Sequence, residues 1–144
     1  MISRSIPAML WMAIWLTACA PSAPTGADAN DKAQVLLGKT VYAQRCASCH
    51  GASLEGQPEW QSRKADGKLP APPHNGSGHT WHHDDKTLFE ITQNGLEKYA
   101  GPNYATDMPR FAGVLSPAET WAVLAYIKST WPTDVAQHQR SLNR

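Results

Sequence analysis

The stretch Cys46-Ala47-Ser48-Cys49-His50 holds two of the chain's three cysteines within one helical turn, and a histidine follows the second directly. Thiols and an imidazole at that spacing allow three chemistries: covalent attachment of a c-type haem, a zinc site, or a dithiol redox pair. Each needs a different fold around the motif. The flanking residues therefore decide among them.

A helix runs into the motif. Asn30 and Asp31 are both suitable N-caps, and in "DKAQVLLGKTVYAQRC" the residues Val35, Gly38, Tyr42 and Cys46 recur on one helical face. A dithiol pair of the thioredoxin kind follows a strand in a βαβ unit, so this approach counts against it. A second helix is expected in "DDKTLFEITQN", acidic at its start, with Leu88, Ile91 and Thr92 on one side and Gly95 as its stop. A third is expected in "SPAETWAVLAYIKSTWP", where Ser116 is the N-cap, Pro117 takes the first helical position, Glu119 completes a capping box and Pro132 closes the segment. Val123, Tyr126 and Ile127 share its inner face. With no alternating strand pattern and no internal repeat, the expected fold class is all-α with long irregular loops.

The first residues point outside the cytoplasm. In "MISRSIPAMLWMAIWLTACA", Arg4 precedes an apolar stretch from Ile6 to Leu16, shorter than the roughly 20 residues that a spanning helix needs. Residues 1–18 read as an export signal. Leu16-Thr17-Ala18-Cys19 resembles the lipobox of bacterial lipoproteins, which implies cleavage before Cys19 and lipidation of that cysteine. The Ala, Pro, Ser and Gly content of the following residues makes 19–30 a flexible tether. One small globular domain over 31–132 then remains, with 133–144 as a polar tail. With 13 Lys and Arg against 12 Asp and Glu, and no basic stripe, nucleic acid is excluded as a partner.

Export bears on the cysteines. A vicinal pair outside the cytoplasm is exposed to oxidation, whereas thioether bonds to a haem remove both thiols from that chemistry. Two thiols three residues apart reach the two vinyl groups on one porphyrin edge, and His50 reaches the iron from the same side. The zinc reading joins Cys46 and Cys49 to His79 and His83 as C-x2-C followed by H-x3-H, but 29 residues separate the halves, far more than a finger allows. Haem is the favoured reading.

A haem iron with one histidine has a second axial position, which electron-transfer cytochromes fill with a methionine thioether. Met1, Met9 and Met12 lie in the signal, so Met108 is the methionine left after cleavage. It stands in "TDMPRF" between the second and third expected helices, where Pro109 biases it toward extended backbone.

The order of helix, CASCHG, proline-containing loop, helix ending in glycine, MPRF and a helix with "VLAYIK" resembles class I cytochrome c over about residues 31 to 132. The resemblance implies three to four helices wrapped around one haem c held by Cys46 and Cys49, with His50 and Met108 as axial ligands. It implies that Gly38 and Tyr42 cross against Val123 and Tyr126. It also implies a proline carbonyl that accepts the proximal histidine's ring proton, which corresponds to Pro72 in "LPAPPHN", with Pro70 and Pro73 as near alternatives.

One stretch departs from the family pattern. "HNGSGHTWHHDD" gathers His74, His79, His82 and His83 around Trp81, with His74 where the family has an apolar residue. These histidines form a polar loop, or one supplies a bis-His sixth ligand, or His79 and His83 make a second metal site. His138 falls in the tail, solvated. The expected function is a membrane-tethered monohaem electron carrier on the periplasmic side of a bacterial membrane, exchanging single electrons with partner proteins. A haem enzyme or sensor with a labile sixth ligand is the alternative, and a colourless zinc module is the third.

Overall fold

The computed structural model describes residues 23–143, and the signal segment, Cys19 and the first part of the tether lie outside them. In chain order the helices are α1 (Lys32–Arg45), α2 (Ala47–His50), a 3-10 turn (Thr80–His82), α3 (Asp85–Asn94), α4 (Glu97–Ala100), α5 (Pro117–Ser129) and α6 (Thr133–Leu142). Among the described residues there is no strand, and the one isolated β-bridge joins Ala112 to Leu115.

The caps follow sequence logic. Asp31 accepts from the backbone N–H groups of Ala33 and Gln34 at 2.9 and 3.1 Å, Asp84 accepts from Thr87 N–H at 2.9 Å, and Ser116 and Glu119 close a reciprocal capping box before α5.

α1 and α5 form the main helix pair. Their backbones touch at Gly38: a Cβ there would sit 1.8 Å from Ala122 O and 2.9 Å from Tyr126 Cβ. Ala122 and Ala125 are completely buried on the α5 side. Val41, Tyr42, Leu54, Phe111, Leu115, Val123, Ile127 and Trp131 make up the continuous core around this crossing. Because the atom in the way is backbone rather than a movable side chain, Gly38→Ala must push the helices apart. A loss of about 1–3 kcal/mol is expected, read as a lower denaturant midpoint with little change in m.

α3 packs on α5 through a buried amide, Gln93, whose Nε2 donates to Leu115 O at 3.2 Å and to Thr120 Oγ1, and through Phe89 stacked on Trp121 at 4.2 Å.

Two expectations from the sequence change. The segment 133–144, read as a polar tail, contains α6, so the helices outnumber the three to four foreseen. Its anchor is Gln139, fully buried, whose Nε2 donates to His83 O at 3.2 Å and Asp85 Oδ1 at 2.7 Å. Asp85 in turn pairs with Lys128 at 2.6 Å. Val135 and Ala136 of α6 also pack on the core, but two apolar residues are too short a stripe for periodicity to mark the helix. Of the stretch 19–30 expected to be a flexible tether, the part from Gly26 onward is docked. Gln34 donates to Gly26 O at 2.9 Å and accepts from Asp28 N–H at 2.7 Å, so the residues from Gly26 onward lie against α1.

Candidate functional site

Cys46 ends α1, its N–H still donating to Tyr42 O at 2.9 Å, and the next turn begins at once: Cys49 N–H and His50 N–H both donate to Cys46 O, at 3.1 and 2.9 Å. This turn keeps the two thiols and the imidazole on one short piece of helix. Tyr42 locks it to α1, its hydroxyl donating to Gly51 O at 2.8 Å. Cys46 is half-buried and Cys49 exposed, and neither is in a disulfide. Burial, and secondarily the Cys49 charge, push the Cys46 thiol up to about 11. An activated redox thiol is shifted in the opposite direction, so a dithiol catalyst does not fit this turn.

His50 is 8% exposed, and its Nδ1 lies 2.9 Å from Pro72 O. A carbonyl can only accept, so Nδ1 carries the proton and Nε2 is left with its lone pair, the form that binds a metal. Burial lowers the His50 pKa, partly offset by the Pro72 bond. The ring therefore stays neutral and ready to ligate.

Pro72 is held in place from below. Leu54 adopts a left-handed backbone, φ 62°, which costs a non-glycine residue on the order of 1–2 kcal/mol. The strained turn lets one carbonyl, Leu54 O, accept from both His74 N–H at 2.9 Å and Asn75 N–H at 3.3 Å. Gly56 then passes so close to the loop that a Cβ would meet Pro73 N at 2.4 Å. Neither Leu54 nor Gly56 was identified from sequence, where only the glycine gave a signal.

His74 packs behind His50. The two rings stack at 3.9 Å between centroids and 22° between planes. His74 Nδ1 pairs with Thr80 Oγ1 at 2.6 Å, and its carbonyl accepts from Trp131 Nε1 at 2.8 Å. Burial first, then the neighbouring His50, holds its pKa well below the usual range. Two ligands on opposite faces of one iron point at each other across it. Rings stacked face to face do not, so His74 lies beside His50 and the two are not arranged to hold one ion from opposite sides.

Met108 is half-buried on the loop after α4. Its N–H donates to Thr106 Oγ1 at 3.0 Å, and two ladder-like bonds just beyond it, Phe111 N–H to Thr92 O at 3.1 Å and Ala112 N–H to Gln93 O at 2.9 Å, tie the loop to the last turn of α3. Asp107 pairs with Lys68 of the long loop after α2. The segment lies outside every helix, as Pro109 favours, and the thioether is carried on that loop.

His79 and His83 flank the 3-10 turn, and Trp81 stacks on His82 at 3.7 Å with His138 edge-on at 5.5 Å. Among the described residues no group of three or more His, Cys, Asp or Glu side chains could hold a metal. The four-ligand zinc site of Cys46, Cys49, His79 and His83 is therefore not assembled. The loop between its halves carries His50 and Pro72 instead.

Helical class, thiol pair, neutral buried histidine and its carbonyl partner together describe a haem c protein. Residues 35–131 match the family model for cytochrome c, and the chain belongs to that family. No solved structure matches it. The cofactor is covalent haem c, and the Cys46–Cys49 spacing fits the attachment motif, so the chain is a haem-based electron-transfer protein.

Proposed function

We propose that this protein is a single-electron carrier in which His50 and Met108 are the two axial ligands, Cys46 and Cys49 the thioether anchors, and a lipid on Cys19 the tether to the periplasmic side of a bacterial membrane. The haem supplies the one-electron iron couple; the chain positions it and sets its potential. The observation that carries the reading is the 2.9 Å contact from His50 Nδ1 to Pro72 O, on a buried ring backed by His74. That bond fixes the tautomer and raises the basicity of Nε2. Met108 would supply the second axial ligand opposite His50, and a haem held by both residues would serve one-electron exchange with partner proteins rather than substrate binding.

The holoprotein is expected to be low-spin. Its ferric form shows the weak long-wavelength sulfur-to-iron charge-transfer band, and its ferrous form takes up carbon monoxide poorly. A high-spin spectrum with ready carbon monoxide binding gives the enzyme or sensor reading instead.

The anchor is motivated by Leu16-Thr17-Ala18-Cys19. Wild-type protein from a bacterial host with a lipoprotein pathway is expected to partition into detergent, and Cys19→Ser to remain unprocessed or be released in soluble form. Soluble wild-type protein starting at another residue removes the anchor and leaves the haem assignment untouched.

A further inference from the structure

The histidines that set this chain apart from its family are not all used at the haem. His74 is spent behind His50 and His82 against Trp81, but His79 and His83 turn toward each other, with their Nε2 atoms 3.1 Å apart and their rings 78° from coplanar at 4.9 Å. We propose that His79 and His83 form a separate two-imidazole chelate for a borderline divalent transition ion, copper(II) or zinc(II), completed by solvent.

The separation suits a chelate. Two nitrogens about 2.0–2.1 Å from one ion, at angles between square and tetrahedral, lie about 2.9–3.3 Å apart. The turn that bears the pair is held before any ion arrives. His82 N–H donates to His79 O at 3.1 Å and His83 N–H to Thr80 O at 3.2 Å. Buried Thr80 is bonded to His74. Trp81 Nε1 donates to Gly76 O at 3.2 Å, and the buried Gln139 grips His83 O at 3.2 Å. Fixing both imidazoles in advance reduces the ordering entropy that binding must overcome. Burial and the adjacent histidines depress the pKa of both rings, which keeps a lone pair available near neutral pH.

The set stops at two. Asp84, the nearest carboxylate in sequence, is engaged as the α3 cap by Thr87 N–H at 2.9 Å and Thr87 Oγ1 at 2.8 Å, and no third ligand joins among the described residues. Two nitrogen donors without thiolate favour copper(II) over zinc(II) in the usual divalent order.

The site rests on Met108 rather than His79 or His83 being the sixth haem ligand, and it is tested on the haem-loaded full chain, where a low-spin haem spectrum changed by His79→Gln or His83→Gln would place that histidine on the iron and overturn the chelate. Titration calorimetry with zinc(II), and with copper(II) at lower concentration, is expected to give one ion per chain. Copper(II) should give an electron paramagnetic resonance signal near g 2 with nitrogen couplings, apart from the low-spin haem signal. His79→Gln and His83→Gln should each weaken binding at least tenfold, while His138→Gln leaves it unchanged and the haem spectrum certifies the fold of all three. Unchanged stoichiometry and affinity in both His79→Gln and His83→Gln, or no binding by the wild type, overturns the proposal and leaves the 3.1 Å contact as a plain imidazole–imidazole hydrogen bond.

Discussion

Met108→Ala is expected to lower the reduction potential on the order of 0.1 V, within the roughly 0.8 V range that axial ligands span, and to open the iron to carbon monoxide. A soft thioether favours the ferrous state, so its loss stabilises the ferric one. At about 59 mV per decade for one electron, that shift is a redistribution of roughly fiftyfold between the two states. The charge-transfer band should vanish with the sulfur. Attachment should survive, because Cys46, Cys49 and the His50–Pro72 contact lie on other segments of the chain. The loop should survive as well: it is tied to α3 by the backbone bonds of Phe111 and Ala112, which an alanine at 108 leaves in place. Spectroelectrochemistry and carbon monoxide titration of the variant beside the wild type measure all three effects. If spectrum and potential do not change, a different side chain is the ligand. The search then moves to His79, His82 and His83, since His74 is stacked on the ring of His50.

How far the sequence led depended on how local each signal was. The α1 and α5 helices were legible because their caps and apolar faces lie within a single stretch, whereas their crossing at Gly38 came from the resemblance to class I cytochrome c and not from any pattern in the chain. Pro72 could be singled out only against Pro70 and Pro73. What selects it is Leu54 O holding His74 and Asn75, a contact across about twenty residues that no local pattern records. His74 was read as an open choice for the same reason. Its partners, His50, Thr80 and Trp131, come from three separate segments. α6 and the docked residues from Gly26 onward were missed because buried glutamines fix their positions, with only Val135 and Ala136 of α6 adding apolar contact to the core. Gln139 and Gln34 bury amides that satisfy backbone and carboxylate groups far along the chain, and an apolar periodicity cannot report a buried amide.

The double variant Cys46→Ala with Cys49→Ala is expected to lose covalent haem completely. Wild-type protein made with haem-attachment machinery should keep one haem per chain, and its red colour, through acid-acetone extraction; the variant should keep none. The substitution isolates the thioether chemistry because the turn itself is built from backbone bonds: Cys46 N–H to Tyr42 O, and Cys49 and His50 N–H to Cys46 O, all of which alanine can make. His50 remains neutral and held by Pro72. The variant can therefore still take up haem through its imidazole, and colour that is present before extraction and absent after it separates lost attachment from lost ligation. Each single variant keeps one possible thioether and should fall between the two. Haem that resists extraction from the double variant shows attachment elsewhere on the chain. Wild-type protein with one zinc per chain and no Soret band means that the turn holds no haem at all, and in that case the axial roles of His50 and Met108 fall with it.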